Sequence, residues 1–257
     1  MSGSFLQWFR AWWKGESDHE PQQDSKPQSD SDALARLLAD DDLSWLDSPR
    51  DVHSTEAWDK YWYEQVRHGL GPGIFDLFSP EQELIAAMRR RGLTTVLCAG
   101  NGISQEPRAL AAAGFQVTAL DSSPMAMKIA EACDLEPKQL QHFFPPELCA
   151  PAGSVDFVVG DLRDPCISPG PFDVVIERRT LQLFQPDERG PALDALANRL
   201  GPDGIFVSHC HFGAWRPGQP RTHLFENLFV AKGWTIETGY GSLQSEGRVA
   251  WLSLSTG

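Results

Sequence analysis

The chain has 257 residues, 41% apolar and 22% charged, and its 22 basic and 35 acidic residues leave a net charge of −13. That size and balance suit one large domain or two small ones with an ordinary core, whereas sequence-independent nucleic-acid binding and purely electrostatic attachment to an anionic membrane both need a basic surface. No run approaches the roughly 18 apolar residues of a membrane span. The cysteines (Cys98, Cys133, Cys149, Cys166 and Cys210) are odd in number and form no CxxC pair, which argues against a disulfide or zinc scaffold and for reduced thiols in a cytoplasm.

Residues 4–14 (SFLQWFRAWWK) place Phe5, Leu6, Trp8, Phe9, Trp12 and Trp13 on one side of a helix, with Gln7, Arg10 and Lys14 opposite. The absence of a basic leader and the interrupted apolar run argue against a signal peptide. Residues 1–14 therefore read as an amphipathic helix. Residues 15–32 contain no large apolar residue and read as a disordered linker. Two readings of the opening helix stay open: docking to a membrane interface or a partner protein, or packing back on its own domain. Residues 1–60 hold 13 acids and 6 bases, more than half of the chain's excess charge.

Residues 33–93 read as a helical cap. It comprises a short helix within 33–46 that breaks near Asp40–Asp42, a helix over 55–68 with Trp58, Tyr61 and Trp62 on one face, and a helix over 80–91. The last has proline at its start, acids in its first turn and arginines in its last, and Gly92 stops it.

From residue 94 to 257 strands and helices alternate. Strands are expected at 94–99, 115–121, 154–161, 172–177, 204–210, 233–240 and 247–255, with helices at 104–114, 123–133, 186–200 and once after 218. Such alternation gives a mostly parallel sheet covered on both faces, with ligands beyond the carboxyl ends of its strands. The Gly/Ser-containing turn before the last strand suggests that the final two strands pair antiparallel. Residues 134–152, with four prolines, read as a loop beside the cleft.

The sharpest motif is VLCAGNGIS at 96–104, followed by a helix and by VTALDSSP at 117–124. Gly100 and Gly102 allow a sharp turn and a close approach of ligand to backbone. Asp121 ends the next strand, where a carboxylate can accept from both hydroxyls of a ribose. An NAD fingerprint would place its third glycine at position 105, which is Gln105, and the chain shows no YxxxK pair for hydride chemistry.

These residues resemble the class I S-adenosylmethionine-dependent methyltransferases, whose first motif reads approximately (D/E)xGxGxG. Cys98 stands where that pattern has an acid, and Ser104 where it has a third glycine. The resemblance continues through Gly160–Asp161–Leu162, through FDVVIE at 172–177 and through LGPDGIFVS at 200–208. It implies a Rossmann-like seven-stranded sheet with an antiparallel last pair. It also implies S-adenosylmethionine as donor and S-adenosylhomocysteine as product, held by Ala99, Gly100, Asn101, Gly102, Asp121, Ser122, Asp161 and Leu162. Glu177 is a candidate to replace the missing acid at Cys98, or else pairs with Arg178 or Arg179. Methyl transfer needs alignment, exclusion of water and at most one base. Glu177, His209 and His211 are the candidates for that base. Trp58, Trp62, Arg178 and His209 are candidates for binding the acceptor, a small molecule or a protein. His209 and His211 can share one face of a strand, but two ligands make no metal site and none is expected. The main alternative is a catalytically silent methyltransferase-like binding module tethered by its aromatic N-terminal helix.

Overall fold

The computed structural model describes residues 49–68, 82–132, 150–211, 225–238 and 248–255. The opening helix, the linker, the 33–46 helix and all but the end of the 134–152 loop lie outside the described residues. None of the described helices is long and apolar enough to cross a membrane.

Two helices precede the sheet, α1 (Thr55–Arg67) and α2 (Gln82–Arg90). The chain then alternates through β1 (Thr95–Ala99), α3 (Glu106–Ala112), β2 (Gln116–Asp121), α4 (Pro124–Glu131), β3 (Ser154–Val159) and β4 (Phe172–Arg178). A short 3₁₀ turn at Leu181–Leu183 leads to α5 (Arg189–Ala197), β5 (Leu200–His211), α6 (Glu226–Ala231), β6 (Thr235–Thr238) and β7 (Val249–Ser255). The strands form one seven-stranded sheet in the order β3-β2-β1-β4-β5-β7-β6.

Every pairing is parallel, including β5 with β7 and β6 with β7. The antiparallel last pair expected from the sequence is therefore corrected. The turn signal suggested a hairpin, but β6 ends at Thr238 and β7 begins at Val249. A link of that length can reach about 30 Å when extended, enough to return along a four-residue strand and start β7 from the same end as β6.

Alternation along the strands builds two cores. Val96 and Cys98 of β1, Val174 and Ile176 of β4, Ile205 and Val207 of β5 face α2 and α3, where Leu84, Met88 and Leu110 are fully buried. Leu97, Ala99, Val175 and Phe206 face the other way, toward Leu193 and Leu196 of α5 and Phe229 of α6. Successive side chains of a strand point to opposite faces, so each strand feeds both layers. The ring centroids of Phe206 and Phe229 lie 5.2 Å apart, and that of Trp234 lies 5.4 Å from Phe229.

α1 is fastened to this frame by a side chain. Asp59 Oδ1 accepts from the backbone N–H of Met125 at 2.9 Å and from the Ser123 hydroxyl. Ser123 is itself the N-cap of α4, accepting from Ala126 N at 3.0 Å, with Pro124 in the first helical position. Val66 of α1 packs with Ile103, Met127 and Ile129. The helix that carries Trp58 and Trp62 thus has a fixed seat at the carboxyl end of β2.

Candidate functional site

Strand order reverses between β1 and β4: β2 and β3 lie on one side, β5 and β7 on the other. A crevice forms at such a point because the connections leave in opposite directions. Here a cavity of about 930 Å³ opens there, lined by the ends of β1 to β4, by α1 and by the turns that follow the strands. The volume lies within the usual range for small-molecule sites.

The glycine turn after β1 is sharp and closely approached by neighbouring side chains. Gly100 and Gly102 both adopt left-handed backbone, with φ of 65° and 54°. A Cβ on Gly100 would lie 2.3 Å from the Thr180 hydroxyl oxygen, and one on Gly102 would lie 2.5 Å from the Trp62 ring. The close approach is therefore made by Thr180 and Trp62, which wall the cavity together with the turn. Thr180 reaches back because Arg179 also takes a left-handed turn, with φ of 62°, and its N–H donates to the His209 carbonyl at 2.8 Å. A non-glycine residue there costs about 1–2 kcal/mol of backbone strain.

Asp121 lies in the cavity wall at the end of β2. Its Oδ2 accepts from Gly102 N at 2.7 Å and its Oδ1 from Ser123 N at 2.9 Å. Burial pushes its carboxyl up from the ordinary value, and these backbone donors pull it back. A carboxylate has about four acceptor positions, so it can hold the glycine turn and still accept from a ligand.

Asp161, after β3, is half-exposed at the rim and paired with Arg163, whose Nη2 lies 2.7 Å from Oδ2. The hydrogen bond from that guanidinium holds the Asp161 carboxyl below its usual value. Leu162, Ser122, Ala99 and Asn101 also line the cavity. Val159, one of two large apolar residues left exposed among the described residues, lies beside them.

Glu177 is placed beneath the cavity rather than in its wall. It pairs across the sheet with Ala99, whereas Cys98 pairs with Ile176. Glu177 and Cys98 therefore project from opposite faces. The Glu177 Oε2 accepts from Thr180 N and Leu181 N, each at 3.1 Å, and its Oε1 accepts from the Ser208 hydroxyl. Burial raises its carboxyl to about 6. Its visible task is to hold the turn that carries Thr180.

The next residue, Arg178, returns to the face of Cys98 and lines the cavity, but it is engaged by Glu106 on α3. Its Nε lies 2.8 Å from Oε2 and its Nη2 lies 2.6 Å from Oε1. The sequence reading did not single out Glu106, which looks there like an ordinary first-turn acid. Trp58, Trp62 and His209 all line the cavity, as does Tyr61. Trp58 and Trp62 stack at 6.3 Å, and Tyr61 meets Trp62 edge-on at 4.9 Å. The buried indole N–H of Trp62 has no acceptor among the described residues. The His211 side chain lies outside the described residues. Among the described residues no group of three or more candidate metal ligands occurs.

Residues 97–208 match a family model described as a methyltransferase domain. Comparison with curated proteins gives no match. The chain is similar to several solved structures. One is described by the conversion of a disulfide bond into a thioacetal group during echinomycin biosynthesis (26% identity over 59% of this chain and 58% of that one, TM-score 0.43). Another is a TehB-like S-adenosylmethionine-dependent methyltransferase from Corynebacterium glutamicum (20% identity, 75% and 93% covered, TM-score 0.45). A third is the magnesium protoporphyrin IX methyltransferase of Synechocystis with bound S-adenosylmethionine (17% identity, 71% and 77% covered, TM-score 0.36). The chain spans a little over half the length of the first of these.

Proposed function

We propose that the chain, whose residues 97–208 match a methyltransferase domain, is a class I S-adenosylmethionine-dependent methyltransferase that moves a methyl group from S-adenosylmethionine to a small-molecule or protein acceptor in the cytoplasm. The observation that carries this reading is the position of Asp121. Its carboxylate stands in the wall of the switch-point cavity, tied to the glycine turn through Gly102 N.

The residues present fit the donor. Asp121 offers acceptor positions to ribose hydroxyls. Val159 and Leu162 offer an apolar surface to a planar base, with Asp161 at the rim. The buried indole N–H of Trp62, which has no acceptor among the described residues, can donate to a bound ligand. A nucleoside carries several such acceptors. Ala99, Asn101 and Ser122 complete the wall on this side.

Bound there, the donor supplies a methyl group on a positively charged sulfur, which leaves as a neutral thioether. The chain's own part is alignment, exclusion of water and management of one proton. Trp58, Tyr61 and Trp62, seated by Asp59, shield the cavity from solvent. His209, at the end of β5 and in the cavity wall, is placed to take a proton from an acceptor bound beyond the methyl. Trp58 contributes aromatic surface for that acceptor.

Calorimetric titration with S-adenosylmethionine and S-adenosylhomocysteine, with NAD as control, tests the reading. Binding of both sulfur ligands and not of NAD is expected. Folded protein that binds neither overturns it.

A further inference from the structure

The family pattern puts an acid at position 98, and this chain has Cys98. The Cys98 side chain is buried, and burial together with the nearby Glu106 charge pushes its thiol well above the ordinary value. Position 98 therefore contributes no negative charge. Glu177 cannot replace it, because it projects from the opposite face of the sheet and is consumed by Ser208, Thr180 and Leu181.

A carboxylate nevertheless stands on the right face of the same cavity. Glu106 is the first residue of α3, and its side chain is only 4% exposed. Cys98, Glu106 and Arg178 all line the cavity. Ile176, two residues before Arg178, pairs with Cys98 across the sheet. Arg178 and Cys98 therefore share a face, and α3 packs on it through Leu110 and Ala111. Arg178 grips Glu106 through three contacts: Nε to Oε1 at 2.9 Å, Nε to Oε2 at 2.8 Å and Nη2 to Oε1 at 2.6 Å. Oε2 receives one of the three, so it keeps acceptor capacity.

A buried ion pair is poor evidence of stabilisation, since an apolar pair of similar volume often does as well. What this pair does provide is a desolvated, oriented carboxylate at a cavity wall that has lost its motif acid.

We propose that Glu106, aimed by Arg178, is the counter-charge for the α-ammonium of the donor's methionine end. The acid of this site has thus moved from the end of β1 to the start of α3. The inference rests on the donor reading given above and names the residue that reads the donor's amino-acid end.

The test compares two ligands by calorimetry. S-Adenosylhomocysteine carries the amino-acid end, whereas 5′-methylthioadenosine has the same nucleoside and thioether without it. Wild-type protein is expected to bind S-adenosylhomocysteine more tightly. Glu106→Gln is expected to weaken S-adenosylhomocysteine by about ten- to hundredfold, the scale of one hydrogen bond to a charged group, and to leave 5′-methylthioadenosine within about twofold. Should Glu106→Gln fail to fold with its guanidinium unmatched, the double variant Glu106→Gln/Arg178→Met, neutral on both sides, takes its place in the same comparison. An equal loss of both ligands overturns the inference in favour of a structural staple, and so does no loss of either. Wild-type protein that binds neither ligand overturns the donor reading itself, whereas wild-type binding that ignores Glu106 overturns only this assignment.

Discussion

The two ends of the sheet put their buried polar groups to different uses. At the amino end, Asp173 accepts from Thr94 N at 2.7 Å, from Thr95 N at 2.9 Å and from the Thr94 hydroxyl at 3.1 Å. Arg199, just before β5, is 2% exposed and donates to the carbonyls of Leu162, Asp164, Ile167, Ser168 and Ala195. Every one of these partners belongs to the chain itself. At the carboxyl end, Asp121, Glu106 and Trp62 line an open cavity, and the Trp62 indole N–H has no acceptor among the described residues. Since buried polar groups cost free energy unless they are matched, the matched Asp173 and Arg199 clusters are read as holding the fold, and the cavity wall as the surface open to a ligand.

The largest effect should come from breaking the saturated end. Arg199→Met removes the donors from those carbonyls, of which the Leu162 carbonyl lies buried. Leaving buried polar groups unmatched after loss of a hydrogen-bonded charge typically costs about 3–5 kcal/mol. Denaturant unfolding should show a loss of that size. A change under about 1 kcal/mol would mean that the clamp is dispensable and that saturation is no guide to structural role.

A smaller effect, of a different kind, is expected at the open end. Asp121→Asn keeps one acceptor but turns an amide N–H₂ toward either Gly102 N or Ser123 N. Stability should fall by only about 1 kcal/mol, because burial already penalises the native carboxylate. Affinity for S-adenosylhomocysteine should fall by about tenfold or more, since the group that replaces the lost acceptor cannot take a ribose hydroxyl. Melting curves run beside the calorimetry separate the two effects. A variant that loses stability and affinity in proportion would erase the contrast between the ends.

How much of this was legible from residues alone follows from what a pattern can encode. Strand and helix alternation is written in apolar periodicity, so all seven strands could be placed. Periodicity reads the same in both directions, so the orientation of β6 and β7 could not. The glycine turn, Asp121 and Asp161 stand at fixed places in a strand–turn–helix series, and the structure places all of them in the cavity wall. Glu177 was a candidate for the missing acid because it ends a strand beside the right turn. Its register, one residue out of phase with Cys98, puts it on the other face. Glu106 escaped notice because a first-turn acid is what a helix dipole favours, and only the tertiary contact with Arg178 sets it apart. Thr180 and Trp62 were invisible as the groups that require Gly100 and Gly102, because that requirement arises between segments distant in sequence.

The smallest predicted effect is the most informative about Glu177, which joins the two ends of the comparison: it is saturated like Asp173 yet lies directly under the cavity. Its carboxyl titrates at about 6 in the folded chain against an ordinary 4.5, so the folded state holds this proton more tightly than the unfolded one. Its contribution is therefore most favourable below about pH 4.5 and is lost as pH rises through about 6, amounting to about 2 kcal/mol at neutral pH. Glutamine can present its carbonyl to Thr180 N and Leu181 N and its amide to the Ser208 oxygen without ever ionising. Glu177→Gln should then match the wild type near pH 4.5 and exceed it by up to about 2 kcal/mol near pH 7.5, as measured by denaturant unfolding at the two values. Parallel pH profiles would show that the folded carboxyl titrates normally and that burial imposes no such penalty. If the stability gain appears and donor affinity is unchanged, Glu177 serves the turn alone. If affinity falls while stability rises, the ionised form is retained for the geometry of Thr180 against Gly100, and the saturated class of groups extends to the wall of the site.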